Sequence, residues 1–437
     1  MHYNWKFPPQ YYSQSVETLE TSLKQVHAYK SWQAYDPGPD HPIDERYAAM
    51  PALVKTDIRK YFPDGLVPPD RDVKRGLESG EIGLAHTSGS SDISATNIWN
   101  QEWWDASERA SWKLNSNASM IATGSHPEAL LVNPLNVGSV SEDISLPMEE
   151  RRLSRFLFLN EKSDPAKWSP EHMDRMIEEL EIFKPAILEA NPSFLAKLCR
   201  YAAGHYKKVF QPGLIVYTYE YPTQFHYRQI RQVFNVPMAS SYGSTETGYV
   251  FMQCEEGKFH QNTDFCRVDI QPLKTEHGGP DIGRLLVTTF NNPWYYIVRF
   301  DIRDLVHIDS EGKCACGRDS GIILSAIEGR AISLTLTCDG RLVTLRKLDN
   351  AISVLDDIEE YSLEQVSATE YDLYLVSRRQ DKNKLSGEAS DILRELYGDK
   401  AQISVIYKKA LSPADSGKYS IARATFPIDI NGFLEES

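Results

Sequence analysis

The sequence predicts an α/β fold with a large layered amino-terminal domain, a β-rich subdomain within it, and a small, mobile α+β domain at the carboxyl end. Through the middle of the chain, short apolar runs such as residues 214–218 alternate with helical stretches, a pattern typical of parallel βαβ units. After about Gly283 the runs are short and rich in β-branched or aromatic residues. The residues after Arg330 indicate a separate small unit. We therefore place a domain boundary near Arg330, which gives one domain of residues 1–330 and a second of residues 331–437.

The individual elements follow from local composition, in chain order. Proline-rich loops separate short helices over residues 10–80. The predicted helices cover residues 17–30, 103–114, 171–183, 192–201, 223–234, 345–355 and 386–397. The predicted strands cover residues 214–218, 284–289, 295–300, 331–336, 365–368, 372–377 and 402–407.

The composition indicates an ordinary globular protein and excludes some partners. The chain has 437 residues, of which 41% are hydrophobic and 25% charged, and this length allows two to four domains. Its 47 basic and 61 acidic residues give a net charge of -14, which repels phosphate backbones and anionic lipids. We therefore expect no nucleic-acid and no membrane partner, although a few local cations suffice to bind one small anion.

The expected location is the cytoplasm. No apolar run approaches the roughly 18 residues of a membrane-spanning helix. The amino terminus has neither the charged start nor the apolar stretch of a signal peptide. The six cysteines are too sparse for a disulfide scaffold, which favours reduced thiols.

Three short segments carry residue types that suit phosphate and nucleotide chemistry. The first, residues 86–92, has hydroxyl residues around one glycine, and hydroxyls and backbone N–H groups both donate to phosphate. Serine-rich turns are common, so this segment alone favours an ordinary turn. Its candidate phosphate-binding residues are Thr87, Ser88, Gly89, Ser90 and Ser91.

The second and third segments each add a carboxylate. In residues 241–248, hydroxyls surround Glu246, and a carboxylate beside hydroxyls suits a Mg²⁺–phosphate site. The alternative is a capped turn between a strand and a helix. In residues 298–305, an aspartate at a strand end can accept hydrogen bonds from ribose hydroxyls. The alternative there is a surface hairpin with a weak charge pair, Arg299 with Asp301 or Arg303 with Asp304.

Taken in order, these segments resemble the motifs of the adenylate-forming ligase superfamily, and most closely those of its phenylacetate–CoA ligase branch. The likeness covers roughly residues 45–425, and the segment from Tyr242 to Glu246 is its most specific piece. The matching pieces are residues 50–59, Tyr219-Glu220, Tyr242-Gly243-Ser244-Thr245-Glu246, Ile327-Glu328-Gly329-Arg330 and Ser416-Gly417-Lys418.

The resemblance implies an ATP-dependent ligase that activates a carboxylic acid as an acyl adenylate and passes it to CoA or another thiol. In this family the carboxylate attacks the α-phosphate of Mg²⁺-bound ATP, and pyrophosphate leaves. By resemblance, the nucleotide is bound by Ser241, Tyr242 and Gly243, with the Tyr242 ring against the adenine. The resemblance also implies that Thr245 hydrogen-bonds to the α-phosphate and that Glu246 binds Mg²⁺. It further implies that Asp304 binds the ribose hydroxyls, that Arg330 lies near the nucleotide, and that Lys418 bridges the substrate carboxylate and the phosphate.

Several positions depart from the family's pattern. Asp92 stands where the phosphate loop has a second glycine, Arg303 replaces a glycine before Asp304, and Ile332 and Ser333 replace acidic residues after the hinge. The altered hinge motivates a second hypothesis, in which an amine, a hydroxyl or a carrier-protein thiol accepts the acyl group. Asp92 motivates a third hypothesis, a non-catalytic nucleotide-binding protein that keeps the fold.

A separate set of cysteines and a histidine indicates a metal site. Cys254 and His260 form a Cys-x5-His pair, and Cys314 and Cys316 form a Cys-x-Cys pair further along the chain. Four such ligands suit tetrahedral structural Zn²⁺, and the phenylacetate–CoA ligase branch has a similar pattern. Three alternatives stay open: reduced and merely packed cysteines, a disulfide at Cys254, and Cys266 as a ligand in place of His260.

Aromatic residues mark the expected substrate pocket, which residues 132–141, 216–219 and 240–242 would build. They favour an aromatic or other planar carboxylic acid. Residues 131–138 differ from the glycine-rich segment of typical phenylacetate ligases, so the expected acid is not phenylacetate itself. The oligomeric state is not predicted. The pocket tyrosines are Tyr217, Tyr219, Tyr242 and Tyr249.

Overall fold

The computed structural model describes residues 5–86, 95–136, 140–142, 144–414 and 418–435. Its α-helices are α1 Pro9–Gln25, α2 Ile43–Ala49, α3 Lys55–Tyr61, α4 Val73–Ser79, α5 Gln101–Trp112, α6 Ser116–Ile121, α7 Pro170–Phe183, α8 Pro192–Gly204, α9 Gln224–Arg231, α10 Leu345–Ile352 and α11 Lys382–Tyr397.

Its strands are β1 Gly83–His86, β2 Thr96–Trp99, β3 Glu128–Leu131, β4 Arg152–Leu153, β5 Phe156–Phe158, β6 Ile187–Ala190, β7 Leu214–Tyr217, β8 Met238–Ser244, β9 Gly248–Gln253, β10 Phe259–Gln261, β11 Cys266–Pro272, β12 Ile282–Thr289, β13 Phe300–Ile308, β14 Ile323–Arg330, β15 Thr335–Leu336, β16 Leu342–Val343, β17 Ile358–Gln365, β18 Glu370–Ser377, β19 Gln402–Tyr407 and β20 Ala422–Ala424.

Twelve of these strands form one mixed sheet in the order β11-β12-β13-β14-β10-β9-β8-β7-β6-β3-β5-β4. Neighbouring strands from β8 to β5 pair in parallel, whereas the strands from β9 to β11 pair antiparallel. The prediction of a layered α/β region joined to a β-rich region is confirmed. β8 is the strand at which the two regions meet, because it pairs in parallel with β7 and antiparallel with β9.

The parallel half is covered on both faces, as parallel sheets require. Successive strand residues point to opposite faces, so Leu188 packs with α8 on one face and Ile187 packs with α5 and α6 on the other. Local signals start the covering helices: the Ser169 hydroxyl accepts from the third backbone N–H of α7, and the Thr223 hydroxyl does the same for α9. Leu188 is fully buried, and burial of such a side chain contributes about 2 kcal/mol.

The carboxyl-terminal unit, residues 335–424, has its own four-stranded sheet in the order β19-β18-β17-β20. α10 and α11 pack on that sheet, and Phe225 of α9 joins the same hydrophobic cluster. The tail beyond β20 then returns to the large sheet. There Lys274 donates its backbone N–H to the carbonyl oxygen of Phe433 at 2.9 Å, and Leu434 packs against Leu273. Both ends of the unit are therefore attached to the large sheet.

Four predicted elements are corrected. The first long helix spans residues 9–25 rather than 17–30. Residues 295–299 are not a strand, because the Asn292 side chain accepts two backbone N–H groups and forms a turn. Residues 331–333 form one 3₁₀ turn, so only residues 335–336 of the predicted strand 331–336 pair. The strand predicted at 365–368 ends at residue 365, where a hairpin turn begins.

Among the described residues, no helix has the length and apolar character needed to cross a membrane.

Candidate active site

Three predicted nucleotide residues meet at the junction of the parallel and antiparallel halves. Tyr242 lies on β8, and its hydroxyl donates a hydrogen bond of 2.7 Å to Oδ2 of Asp304 on β13. Asp304 pairs across β13 and β14 with Arg330, whose Nε lies 3.5 Å from the Asp304 Oδ1. Burial and the neighbouring Asp304 carboxylate raise the pKa of Tyr242 well above its ordinary value. The Tyr242 hydroxyl therefore stays a donor, and Asp304 is held from two sides.

The turn between β8 and β9 is tight and points Glu246 into the interior. A side chain at Gly243 would place its Cβ 2.0 Å from the Gly248 carbonyl oxygen, so only glycine fits there. Glu246 is 4% exposed, and its Oε1 lies 3.5 Å from Nζ of Lys55 at the start of α3. Because the turn joins two strands, the alternative of a capped turn before a helix is wrong.

Lys418 reaches the same place from the carboxyl-terminal unit. Burial lowers its pKa to about 8, and the charge of Arg330 acts in the same direction, whereas the carboxylates of Glu220 and Asp304 oppose the shift. The adjacent Tyr419 donates its backbone N–H to Oε1 of Glu220 at 3.3 Å. We call Glu220, Tyr242, Asp304, Arg330 and Lys418 the nucleotide cluster.

The remaining predicted nucleotide residues lie around this cluster or outside the described residues. Ser241 lies on β8 and Thr245 in the β8–β9 turn, and both are half-buried. The phosphate-loop candidates Thr87, Ser88, Gly89, Ser90 and Ser91 lie outside the described residues, as does Asp92. The strands on either side of this segment, β1 and β2, pair with each other, with His86 opposite Thr96.

The four predicted pocket tyrosines do not lie together. Tyr217 is wrong as a pocket residue: it is 1% exposed, and its hydroxyl faces the Met238 sulfur on the sheet face covered by α8 and α9. The reason is strand alternation, which turns Tyr217 away from the face that its neighbour Val216 occupies. Tyr219 is 38% exposed, and Tyr249 is half-buried with its hydroxyl 3.0 Å from Oε1 of Glu108.

Four charged residues near these sites received no role from the sequence. Lys55 lies within the matching stretch 50–59, but a single lysine forms no sequence motif, so the sequence does not indicate which acidic residue it contacts. Glu128 and Glu189 are buried acids in strands whose other residues are apolar, and that pattern is the signal that could have found them. Glu108 lies on α5, one turn before the buried Trp112.

The predicted metal ligands come together at the edge of the antiparallel half. Cys254 follows β9, His260 lies on β10, and Cys314 and Cys316 lie between β13 and β14. All four ligand atoms lie within 4.8 Å of one another. The Cys254 and Cys314 sulfurs are 3.6 Å apart, and the Cys316 sulfur is 3.3 Å from Nε2 of His260.

This geometry separates the alternatives. A sulfur separation of 3.6 Å is too long for a disulfide, and Cys254 is a free cysteine. Cys266 is fully buried in the hydrophobic core and lies outside the group of four, so it is not the fourth ligand. Burial lowers the pKa of His260 to about 4, which leaves a neutral imidazole. Four convergent thiol and imidazole groups fit zinc, for which ligand separations of about 3.5–3.8 Å are expected.

Comparisons with known proteins give matches only among solved structures. No protein-family model and no curated protein sequence matches the chain. A 2-hydroxyisobutyryl-CoA ligase in the postadenylation state, in complex with 2-HIB-AMP, superposes with a TM-score of 0.70 at 15% identity, covering 98% of this chain and 92% of that chain. An amide bond synthetase from Marinactinospora thermotolerans superposes with a TM-score of 0.53 at 13% identity, covering 78% and 67%.

The 2-hydroxyisobutyryl-CoA ligase also provides a second conformation. Its complex with 2-HIB-AMP and CoA in the thioesterification state gives a TM-score of only 0.56 at 14% identity, with 96% of this chain and 91% of that chain covered. Of these two complexes, the one in the postadenylation state therefore superposes better on this chain.

Proposed function

We propose, from the premise that this chain has the fold of the adenylate-forming ligases, that it is an ATP-dependent ligase that activates a carboxylic acid as an acyl adenylate and transfers the acyl group to CoA or another thiol. One observation carries this proposal. Lys418 comes from the carboxyl-terminal unit, and it still lies among Arg330, Asp304 and Glu220 of the large sheet. A lysine ammonium at that point suits a reaction in which negative charge builds between a carboxylate and a phosphate.

The nucleotide cluster supplies the groups that acid activation needs. The acid's carboxylate oxygen would bond the α-phosphorus as the bond from that phosphorus to pyrophosphate breaks. Lys418 and Arg330 would stabilise the charge on the phosphate oxygens. The ring of Tyr242 would lie against the adenine. Asp304, whose Oδ1 has no hydrogen-bond partner among the described residues, would accept a ribose hydroxyl.

Glu246 and Thr245 fit a role in holding Mg²⁺. The Glu246 carboxylate is buried, and its Oε1 lacks a hydrogen-bond donor within the described ranges, apart from the Lys55 ammonium at 3.5 Å. Magnesium is commonly bound by one or two protein carboxylates together with substrate phosphates, whose charge it neutralises. We propose that Glu246 is that carboxylate, with the Thr245 hydroxyl directed to the α-phosphate.

The acceptor is the less constrained half of the proposal. We propose that residues 1–330 form the adenylation domain and residues 331–437 form a lid that carries Lys418. An amine, a hydroxyl or a carrier-protein thiol is the second candidate acceptor. It is favoured by the tail, because Phe433 and Leu434 attach the carboxyl-terminal unit to the large sheet and oppose a swing of the lid.

Pyrophosphate release tests the first half-reaction. We expect release that depends on Mg²⁺-bound ATP and on a carboxylic acid, in pooled acids with and without CoA. Replacement Lys418→Ala should lower the rate by about 100- to 1,000-fold. The matched control is Lys409→Ala, an exposed lysine of the same unit, which should retain the full rate. Equal rates in both variants would refute the assigned role of Lys418.

The same assay separates the remaining hypotheses. Faster turnover on addition of CoA supports a thiol acceptor, whereas release that CoA does not accelerate supports another acceptor. ATP binding without release for any acid supports the non-catalytic hypothesis.

We further propose that Cys254, His260, Cys314 and Cys316 bind structural Zn²⁺. The four residues leave no ligand position for a substrate, and they join the strands that carry Asp304 and Arg330 to β9, the strand that follows the Glu246 turn. We expect one zinc per chain by elemental analysis, and a large drop in melting temperature in Cys254→Ser. The control is Cys338→Ser, outside the group. The proposal would be contradicted if the purified protein contained no zinc and if Cys254→Ser and Cys338→Ser had the same melting temperature.

A further inference from the structure

Three carboxyl groups, two of them buried and one half-buried, lie together on one face of the parallel half of the sheet. Glu128 begins β3, Glu189 lies on β6, and Glu108 lies on α5, which covers that face. We call these three residues the acyl-side cluster. Glu128 and Glu189 are 0% and 6% exposed.

Strand register explains why these residues meet. Leu130 of β3 pairs with Glu189 of β6, and Glu128 lies two residues before Leu130, so both acids point to the same face. Trp112 of α5 packs on that face beside Val216. Glu108 lies one helical turn before Trp112 and is therefore directed to the same surface.

The acyl-side cluster has fewer cations than carboxylates. Arg155 contacts Glu128 directly, and its Nη2 lies 3.7 Å from Oε2 of Glu108. Nε2 of His126 lies 3.2 Å from the Glu128 Oε2, and Nη1 of Arg155 lies 3.0 Å from the same imidazole nitrogen. That nitrogen accepts from the arginine in one tautomer and donates to the carboxylate in the other, so Arg155 is the one cation of fixed charge in these contacts.

Glu189 has no ion-pair partner among the residues that the structure describes. Its Oε1 accepts from the Thr218 hydroxyl at 3.1 Å. Burial, followed by the charges of Glu128 and Glu108, raises the pKa of Glu189 well above its ordinary value. Unlike Glu189, Glu128 has one oxygen, Oε1, without a hydrogen-bond donor in the described part of the chain. The two buried carboxyl groups are in hydrogen-bond contact with each other, and Glu189 holds a proton there in place of a cation.

Aromatic side chains border the acyl-side cluster on its open side. The Tyr249 hydroxyl donates to Glu108, and the Trp104 ring lies 5.0 Å from the Tyr249 ring. Tyr219 lies against Glu189 and keeps 38% of its surface exposed. Aromatic faces beside carboxylates attract organic cations.

The same tyrosines connect the acyl-side cluster to the nucleotide cluster. Tyr219 directly precedes Glu220, which contacts the Lys418 segment, and Tyr249 follows Glu246 by three residues. A substrate whose carboxylate lies near Lys418 can therefore extend between the tyrosines toward Glu189.

We propose that the acid substrate carries a basic nitrogen, as an amine or a guanidinium group, and that Glu189, Glu128 and Glu108 bind that cation between the rings of Tyr219 and Tyr249. This inference rests on the proposed ligase function and names its substrate class. A bound cation takes the place of the proton that Glu189 holds, because its charge matches a second ionised carboxylate in a site where carboxyl groups outnumber arginines three to one. An apolar acid would leave that proton in place and gain no charge contact, and a second carboxylate on the substrate would be repelled.

Matched pairs of acids test the proposal. The first pair is para-aminomethylbenzoate with para-methylbenzoate, and the second is gamma-guanidinobutyrate with hexanoate. We expect kcat/KM for acid-dependent pyrophosphate release to be about 10- to 100-fold higher for the basic member, the range of a hydrogen bond to a charged group. Replacement Glu189→Gln should remove most of that preference, lowering kcat/KM for the basic acids far more than for the neutral acids. Glu102→Gln, an exposed acid on α5, should preserve it.

Calorimetric titration of the same acids separates failure of this inference from failure of the ligase function. Pyrophosphate release that prefers the neutral acids, with no effect of Glu189→Gln, would overturn the substrate class and leave the ligase intact. Absence of release, together with binding of basic acids that Glu189→Gln abolishes, would overturn the ligase function and keep the cation site. If neither pyrophosphate release nor binding of basic acids were observed, both the ligase function and the cation site would be overturned. Circular dichroism and melting temperature show whether Glu189→Gln remains folded, and Tyr219→Phe provides a second variant if it does not.

Discussion

The two sides of the candidate active site differ in how their charges are matched. On the nucleotide side, Glu246 faces Lys55 at 3.5 Å, and Asp304 faces Arg330 at 3.5 Å. Glu220 is a third carboxylate, and the nearby Lys418 ammonium is the third cation, so the charges on this side are matched. On the acyl side, one arginine serves the three carboxylates of the acyl-side cluster.

This difference indicates what each side binds. A site in which every carboxylate is matched by a cation, and where the cations include two lysines and an arginine, suits an anion such as a phosphate once Mg²⁺ is bound. A site with unmatched buried carboxylates suits a cation, because bringing the cation in lowers the cost of burying the negative charge. Damage to the nucleotide side should therefore slow the reaction of every acid, whereas damage to the acyl side should change which acid reacts.

After Lys418→Ala, the largest effect is expected for Asp304→Ala. This change removes the acceptor of the Tyr242 hydroxyl and the partner of Arg330, and it deletes the proposed ribose ligand. We expect a loss of about 100-fold in kcat/KM for ATP, equal for basic and neutral acids. The exposed Asp264→Ala is the control. A loss confined to basic acids would mean that the two sides are not separate.

The nucleotide side was more accessible to prediction than the acyl side for a physical reason. Tyr242 through Glu246 is a contiguous turn whose residue types are fixed by close backbone approach at Gly243, so its sequence is recognisable. The acyl-side cluster has no such local signature. Its members meet only through the register of β3 against β6 and the packing of α5, which are contacts between segments distant in the chain.

The errors in the prediction have the same origin. Tyr217 was assigned to the pocket by residue type, but the alternation of β7 turns it to the opposite sheet face. The prediction of β structure at residues 295–300 followed their aromatic and β-branched composition, and a side-chain turn at Asn292 prevails there. The sequence indicated the group formed by Cys254, His260, Cys314 and Cys316 because cysteine and histidine are rare and their spacing is informative.

The second prediction uses pH to distinguish the two sides. In the proposed reaction Lys418 acts as a protonated ammonium, and burial lowers its pKa to about 8, so kcat/KM for a neutral acid should fall about tenfold between pH 7 and pH 9. The sign follows because deprotonation removes the charge as the pH rises through that pKa. Replacement Lys418→Arg should lower the rate but abolish this decline, because arginine stays charged.

Basic acids should add an ascending limb at lower pH. Burial and the neighbouring Glu128 raise the pKa of Glu108 to about 7, an effect that Tyr249 and Arg155 oppose, and Asp105 adds a further negative charge. Glu108 therefore gains its charge as the pH rises through about 7, and cation binding improves. A bell-shaped profile for basic acids, with a purely descending profile for neutral acids, would separate the two sides; identical profiles would contradict the assignment of Glu108.

The smallest expected effect is that of Tyr249→Phe. This change removes the hydrogen bond of 3.0 Å to Glu108, and because that bond stabilises the charged carboxylate, its loss raises the pKa of Glu108 further. Near pH 7 fewer Glu108 side chains are then ionised, so kcat/KM for a basic acid should fall about threefold relative to the unmodified chain. At pH 9 the ratio should return toward one, because Glu108 is ionised in both proteins and the titration of Lys418 cancels in the ratio. A neutral acid should show a ratio near one throughout. If kcat/KM instead fell equally for both classes of acid at every pH, Tyr249 would contribute only packing. Glu189→Gln would then be the remaining test of the difference between the two sides.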